Sequence, residues 1–344
     1  MPWKLIGHEH QIERFRKASG SGRLASTFLF SGPAGIGKRT FAEQLAGALL
    51  CQHATADSLD ACGTCQACQQ VTAGSHPDLY LIAKPADKSM FPLELLIGDR
   101  EHRMKSGLCY QMSLKPRMGQ KKIAIIDDAD YLNAEGANAL LKLLEEPPPG
   151  SVIILITTHA NRQLPTIRSR AQLIRFQPLT TPQLAQLLQD EGFAESPQQA
   201  LTMAHAGSGS IERARRLCDE ETQTLRGTLH TVLARNGWSP QELVETVTSY
   251  VDAAGKEAPP RRQRLKNAID FVVEHYRRRL HAACGITPGE SDPVMAATAD
   301  CDAARCIDHC LTAFGHIDAN ANLPTLTEWW LNELSSVAGP SGSM

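Results

Sequence analysis

Three groups of residues in this chain have the types and spacing to do chemistry. The first lies in TFLFSGPAGIGKRTFAEQLAGALL, where a hydrophobic strand, a glycine-rich loop and a helix follow one another. Gly32, Gly35 and Gly37 let backbone amides close around phosphate oxygens. The helix N-terminus adds partial positive charge, and Lys38 has the reach to meet the terminal phosphates of a nucleotide such as ATP. The residue after such a lysine should carry a hydroxyl that holds magnesium. It is Arg39 instead, with Thr40 one place too late. The second group is the acidic run in IAIIDDAD. Asp127 ends its apolar stretch, where a metal-orienting carboxylate belongs. Asp128 and Asp130 follow, and all three aspartates could equally open the next helix, because aspartate is a favoured N-cap.

The third group is CQHATADSLDACGTCQAC, with Cys51, Cys62, Cys65 and Cys68. Two overlapping CxxC pairs and a fourth cysteine upstream can supply tetrahedral thiolate coordination to zinc. Four filled positions leave none for water, so the metal would be structural. A cluster of reduced thiols or a redox CxxC is the alternative, and the fourth cysteine argues against it. His53 and His76 flank the module as non-ligands. Cys301, Cys306 and Cys310 with His309 offer a weaker second cluster, and helix-face cysteines of that kind are ordinarily buried apolar residues.

These groups need elements to hold them. TFLFSG (27–32), DLYLI (78–82), KIAIID (122–127), VIILITT (152–158) and QLIRF (172–176) read as strands. Several are continuous aliphatic runs, as in parallel sheets buried on both faces. Helical stretches between them imply βαβ crossovers and an α/β fold. The expected organisation is a nucleotide-binding-type α/β domain over 1–178, a small helical domain over 179–222, an all-helical domain over 223–337 and a disordered tail over 338–344. In RQRLKNAIDFVVEHYRRRL, Leu265, Ile269, Val272, Tyr276 and Leu280 share one stripe. The stretch 253–262, AAGKEAPPRR, is expected to be an exposed loop.

A formal net charge of -2 is low for a protein that grips DNA alone through many phosphate contacts. DNA contact is therefore expected to be local or shared with partner subunits. Arg100, Arg103, Lys105, Lys115, Arg117, Lys121 and Lys122 form a basic cluster that suits either phosphates or solvent. No apolar run approaches the roughly 20 residues that span a bilayer, and the N-terminal residues lack a signal-peptide core. A cytoplasmic protein without membrane contact is expected, and ten cysteines in that compartment favour metal ligation or buried thiols over disulfides.

The stretch NALLKLLEEPPPGSVIILITT (138–158), with IIDDADYLN before it and LPTIRSR after it, resembles bacterial AAA+ clamp-loader subunits. The likeness extends over about 3–216, while the C-terminal third is compatible with the family's helical collar. It implies a subunit of the DNA polymerase III clamp loader, with gamma/tau and delta subunits as neighbours and with the sliding clamp and primer-template DNA as distant partners. It also implies a zinc module after the phosphate-loop helix, where the four cysteines lie. Thr157 or Thr158 resembles the polar sensor of the γ-phosphate. Ser169 and Arg170 resemble the family's Ser-Arg-Cys motif, with Ala171 in place of the cysteine and Arg168 as a rival for the arginine. In the family that arginine is a finger reaching a neighbour's ATP, a role suited to a permanently charged fork.

Three positions depart from the hydrolytic pattern. Arg39 replaces a hydroxyl, Asp128 a water-activating glutamate, and Glu212 the arginine of the lid, with Arg213 next to it. An acidic residue facing a triphosphate repels it. The departures favour the non-hydrolysing delta-prime role over the gamma/tau motors. An active gamma/tau-type ATPase, with Thr40 or water replacing the missing hydroxyl, is the alternative.

Overall fold

The computed structural model describes residues 3–338 apart from 56, 86–87, 89, 104, 217–218, 236–237 and 285–302. Cys301 and the tail beyond 338 lie outside the described residues. The chain forms two compact units, Met1–Leu217 and Cys218–Met344.

The first unit begins with helix α1 (Glu9–Gly20), strand β1 (Thr27–Ser31) and helix α2 (Lys38–Leu50). Helix α3 (Gln66–Thr72), strand β2 (Leu79–Ile82), the short helices α4 (Leu93–Ile97) and α5 (Gly107–Ser113) and strand β3 (Lys122–Ile126) follow. Helix α6 (Ala134–Glu145), strand β4 (Ser151–Thr157), one turn of helix α7 (Pro165–Arg168) and strand β5 (Gln172–Arg175) complete the base. All five strands pair in parallel in the order β2-β3-β4-β1-β5. This is the α/β AAA+ P-loop arrangement. The strands lie where the apolar runs put them, each shorter by one terminal residue except β4, which is shifted by one.

Burial explains the runs. Every residue of β3 and β4 is buried, whereas the edge strands β2 and β5 are partly open. The sheet separates two cores. One gathers Phe15, Phe28, Phe30, Phe41 and Phe176 under α1 and α2, and the other gathers Leu29, Leu140, Leu155 and Ile167 under α6 and α7. Helix α6 buries Ala137, Leu140, Leu143 and Leu144 and is capped by the Asn133 carboxamide oxygen, which accepts from the Gly136 amide at 2.7 Å. No aspartate of the acidic run caps it. Helices α8 (Thr181–Asp190), α9 (Pro197–Gly207) and α10 (Ile211–Arg216), where the lid is expected, pack around Leu184, Leu188 and Ala214.

The second unit is helical: α11 (Glu220–Leu233), α12 (Pro240–Asp252), α13 (Ala258–Ala283), α14 (Ala303–Asp318) and α15 (Leu323–Ala338). The expected 253–262 loop is shorter than the sequence suggested, because α13 starts at Ala258. Pro259 and Pro260 fall in its first turn, where amides have no intrahelical acceptor and proline is tolerated. Leu265, Ile269, Val272 and Tyr276 are fully buried along one stripe. Cys306 and Cys310 are buried too, and Trp330 Nε1 donates to Cys310 Sγ at 3.4 Å. Burial pushes the Cys310 thiol up to about 12, which suits a core residue.

His275 is buried in this unit with Nε2 lacking a hydrogen-bond partner. Desolvation, helped by the positive charge of Arg279, His230 and Arg278, lowers its pKa to about 4. The unfolded chain takes up this proton near pH 6.5, so the native state holds fewer protons between the two values. Stability is therefore fully present above about 6.5 and falls by up to about 3 kcal/mol as pH drops towards 4. Urea unfolding across that range should show this slope, and His275→Leu should flatten it.

Candidate functional site

The glycine-rich loop joins β1 to α2, as a phosphate loop must, and its own groups already engage it. Gly35 and Gly37 have φ of 70° and 93°, a conformation that L side chains rarely adopt. The Lys38 ammonium is buried and donates to the carbonyls of Gly32 at 2.6 Å and Pro33 at 2.5 Å. Desolvation lowers its pKa, against the attraction of Asp127, Asp130, Glu212 and Asp128. The lid meets the loop directly: Ile211 donates its amide to the Gly35 carbonyl at 2.9 Å. A Cβ on Gly35 would collide with Ser210 Oγ and lie 2.5 Å from Glu212 Cβ. The residue that departs most in charge from the hydrolytic pattern thus seats against the loop.

Arg39 leans across the mouth of the site. Its Nε donates to Glu43 at 2.9 Å, and Nη1 lies 3.6 Å from Asp127 Oδ2. The Glu43 hydrogen bond, then the Coulombic pull of Glu43 and Asp127, raises its pKa despite partial burial. The carboxylate expected to orient a metal ion faces a guanidinium instead. Thr40 does not substitute for the missing hydroxyl. It lines a cavity of about 340 Å³ with Trp3, Lys4 and Gln44, on the flank of α2 beside the cysteine module.

Asp128 sits in the left-handed region at φ 56°, and its amide donates to Asp127 Oδ1 at 2.9 Å. Burial, then the neighbouring Asp127, pushes its carboxyl up. Thr157, at the end of β4, is buried, and its hydroxyl donates to Asp130 Oδ1 at 2.6 Å. The Thr158 amide donates to Asp130 Oδ2 at 2.7 Å. Arg170 follows α7 and is partly exposed. It pairs with Glu145 at 2.7 Å and donates to the Thr166 carbonyl at 3.0 Å. Arg168 is exposed on the same turn. The structure thus brings Gly32, Gly35, Lys38, Asp127 and Glu212 together, while Arg170 stands apart on the turn after α7.

The four cysteines form one cluster, the only such group of potential metal ligands among the described residues. Their sulfurs all lie within 4.8 Å of one another, with Cys51–Cys65 at 4.0 Å and Cys62–Cys68 at 3.9 Å. A tetrahedron with metal–sulfur bonds of about 2.3 Å has edges of about 3.8 Å. Amides point at the sulfurs: His53 and Cys62 donate to Cys51 at 3.4 and 3.3 Å, Cys65 to Cys62 at 3.3 Å, and Cys68 to Cys65 at 3.4 Å. Such donors stabilise thiolate. The Thr64 and Cys65 amides pull Cys62 down to about 5. His53 is exposed, and the His76 Nδ1 accepts from the Asp78 amide, so neither histidine joins the cluster.

The module is fixed to the base from two sides. Trp3 Nε1 donates to the Leu59 carbonyl at 3.1 Å, and Arg16 binds the Ser58 carbonyl and Asp60. On the other side Met118 packs against the cysteines. The fully buried Asp78 carboxylate holds that loop, accepting from the amides of Arg117 and Met118. Lys122, counted in the basic cluster by sequence, is instead buried, with its ammonium on the carbonyls of Gln111 and Leu114. Arg103 is paired with Glu135 at 3.1 Å. Arg100, Lys105, Lys115 and Arg117 remain exposed.

A family model described as DNA polymerase III, delta subunit, matches residues 7–180. The chain belongs to this family. A DNA polymerase III subunit delta' from Pseudomonas aeruginosa is 41% identical over 151 residues, which are 44% of this chain and 43% of that protein. The Bacillus subtilis subunit delta' is 34% identical over 190 residues, 55% of this chain and 53% of that protein. A subunit tau from Salmonella typhimurium is 28% identical over 73% of this chain and 38% of its own length. The chain therefore spans about half or less of the curated relatives it matches. Among solved structures, a DNA polymerase III gamma subunit-related protein from Thermotoga maritima aligns with 95% of this chain and 99% of its own, at 16% identity and a TM-score of 0.41.

Sequence reasoning missed Asp130, Asp78 and Glu145 as anchors. Asp130 was visible only as one of three aspartates, and nothing local marks Asp78 or Glu145, whose partners are distant in sequence. Asp78→Ala should leave the Arg117 and Met118 amides without an acceptor and cost about 2–3 kcal/mol in denaturant unfolding. Glu135→Ala, which removes only an exposed ion pair, should stay within about 0.5 kcal/mol.

Proposed function

We propose that this chain is the delta-prime subunit of a DNA polymerase III clamp loader, a cytoplasmic assembly protein that helps load the sliding clamp onto primed DNA. The observation that carries this reading is the Arg39–Asp127 contact. A cation fixed to the protein stands beside the carboxylate that orients magnesium in a hydrolysing subunit. Together with Lys38 on the loop's carbonyls and Glu212 against Gly35, it makes the phosphate loop a closed structural piece. The chain turns over little or no ATP and works through its neighbours. The relatives named delta' and tau support membership of such a complex.

The role of Arg170 follows from its place. It ends the turn after α7, partly exposed, and its charge is held by one surface carboxylate, Glu145. An exposed pair of this sort is worth only about 0–1 kcal/mol, so a neighbouring subunit's triphosphate can outcompete it. Arg170 then stabilises the charge of phosphoryl transfer in trans. The four-cysteine cluster holds one structural zinc that ties the insert together. Exposed Arg100 and Lys105 are suited to local contact with template phosphates in the assembled complex.

Steady-state hydrolysis by the chain alone, then mixed with gamma/tau and delta subunits, tests the reading. No turnover alone, with stimulation of the mixture that Arg170→Ala abolishes, is expected. Turnover by the isolated chain that requires Lys38 and Asp127 would overturn it in favour of a gamma/tau-type motor. Metal analysis of the chelator-washed chain should return one zinc, and Cys65→Ala should lose it. A metal-free chain that is equally stable would remove zinc from the account.

A further inference from the structure

We infer that Gln163, acting with Asp130, is a positioning residue that fixes the arginine-bearing turn to the end of β3. This inference rests on the proposed role of Arg170. The segment from the end of β4 to Arg170 is irregular apart from short turns, so something other than a regular element must set where the guanidinium starts. Two polar clips do so, and both grip the same short turn, Ala129–Tyr131, that follows the acidic pair.

At one clip the Asp130 carboxylate takes the Thr157 hydroxyl and the Thr158 amide, which fixes the segment as it leaves the sheet. At the other, the Gln163 carboxamide donates to the Ala129 carbonyl at 2.9 Å, with both residues buried. The Ile167 side chain then plugs the core below, fully buried beside Ala129 and Leu140. The amides of both Arg170 and Ala171 donate to the Ile167 carbonyl at 3.1 Å. From the clip to the finger the path is therefore one glutamine, one buried isoleucine and one shared carbonyl.

The turn that both clips grip begins two residues after Asp127, whose carboxylate lies 3.6 Å from Arg39 Nη1. In a subunit that cycles between metal–nucleotide states, the charge around that strand end changes with every turnover. Here it is set by a side chain, so the clips present Arg170 from an unchanging base. Gln163 contributes through its donor. Gln163→Met keeps length and apolar bulk but leaves the Ala129 carbonyl unpaired, while Gln163→Lys keeps a donor of similar reach.

The test is ATP turnover by the loader reconstituted with gamma/tau and delta subunits, using this chain as wild type, Gln163→Met, Gln163→Lys, Arg170→Ala and the Gln163→Met/Arg170→Ala double variant. Gln163→Met should assemble and should lower kcat about tenfold or more while leaving the KM for ATP nearly unchanged, because misplacement of a transition-state group costs rate and not substrate binding. Gln163→Lys should recover most of that loss. The double variant should match Arg170→Ala alone. Wild-type turnover by Gln163→Met, when Arg170→Ala is impaired, would overturn the positioning role and leave the finger standing. An additive loss in the double variant, or failure of Gln163→Met to assemble, would make Gln163 merely structural and overturn it as well. Full turnover by Arg170→Ala would instead sink the finger reading on which the inference rests.

Discussion

The contact between Arg39 and Asp127 is energetically slight, yet the proposed role of the site turns on it. A half-exposed ion pair at 3.6 Å contributes about 1 kcal/mol or less to stability, and the fold does not depend on it. The site does. A carboxylate at the end of a central strand is useful to a nucleotide-hydrolysing protein because it orients a cation that comes and goes with substrate. When the cation is a guanidinium on α2, it no longer comes and goes. On the proposed reading, Asp127, its neighbouring turn and everything clipped to that turn lose the signal that would move them.

The rest of the first unit agrees with a site built to stay still. The Lys38 ammonium is taken up by carbonyls of its own loop, and the lid donates an amide to Gly35. The glycine that would let a phosphate approach instead lets Ser210 and Glu212 approach. Lys38 and Arg39 face Asp127, Asp128, Asp130 and Glu212, a balance of charge that does not invite a triphosphate. The AAA+ frame survives because its sheet order and cores are properties of packing, which the changes at Arg39, Asp128 and Glu212 leave untouched.

Legibility in the sequence followed the range of the interactions. The buried strands were readable because a continuous aliphatic run such as 152–156, too short for a core helix, suits a strand covered on both faces. The cysteine cluster was readable because its ligands crowd into one short insert. Boundaries were less so: the prolines at 259 and 260 look like a loop and prove to be the first turn of α13. Lys122 illustrates the limit of counting charges, since its burial depends on carbonyls from Gln111 and Leu114 that composition cannot reveal. Gln163 carries no motif at all. Its partner Ala129 is a backbone carbonyl far away in sequence, and only the fold brings the two together.

Equilibrium binding of magnesium-ATP to the isolated chain would show whether the protein's own groups have closed the phosphate loop. A closed loop gives no saturable binding at millimolar nucleotide. Saturable, magnesium-dependent binding that Asp127→Asn abolishes would contradict it, because Asp127 would then be serving a metal ion rather than Arg39.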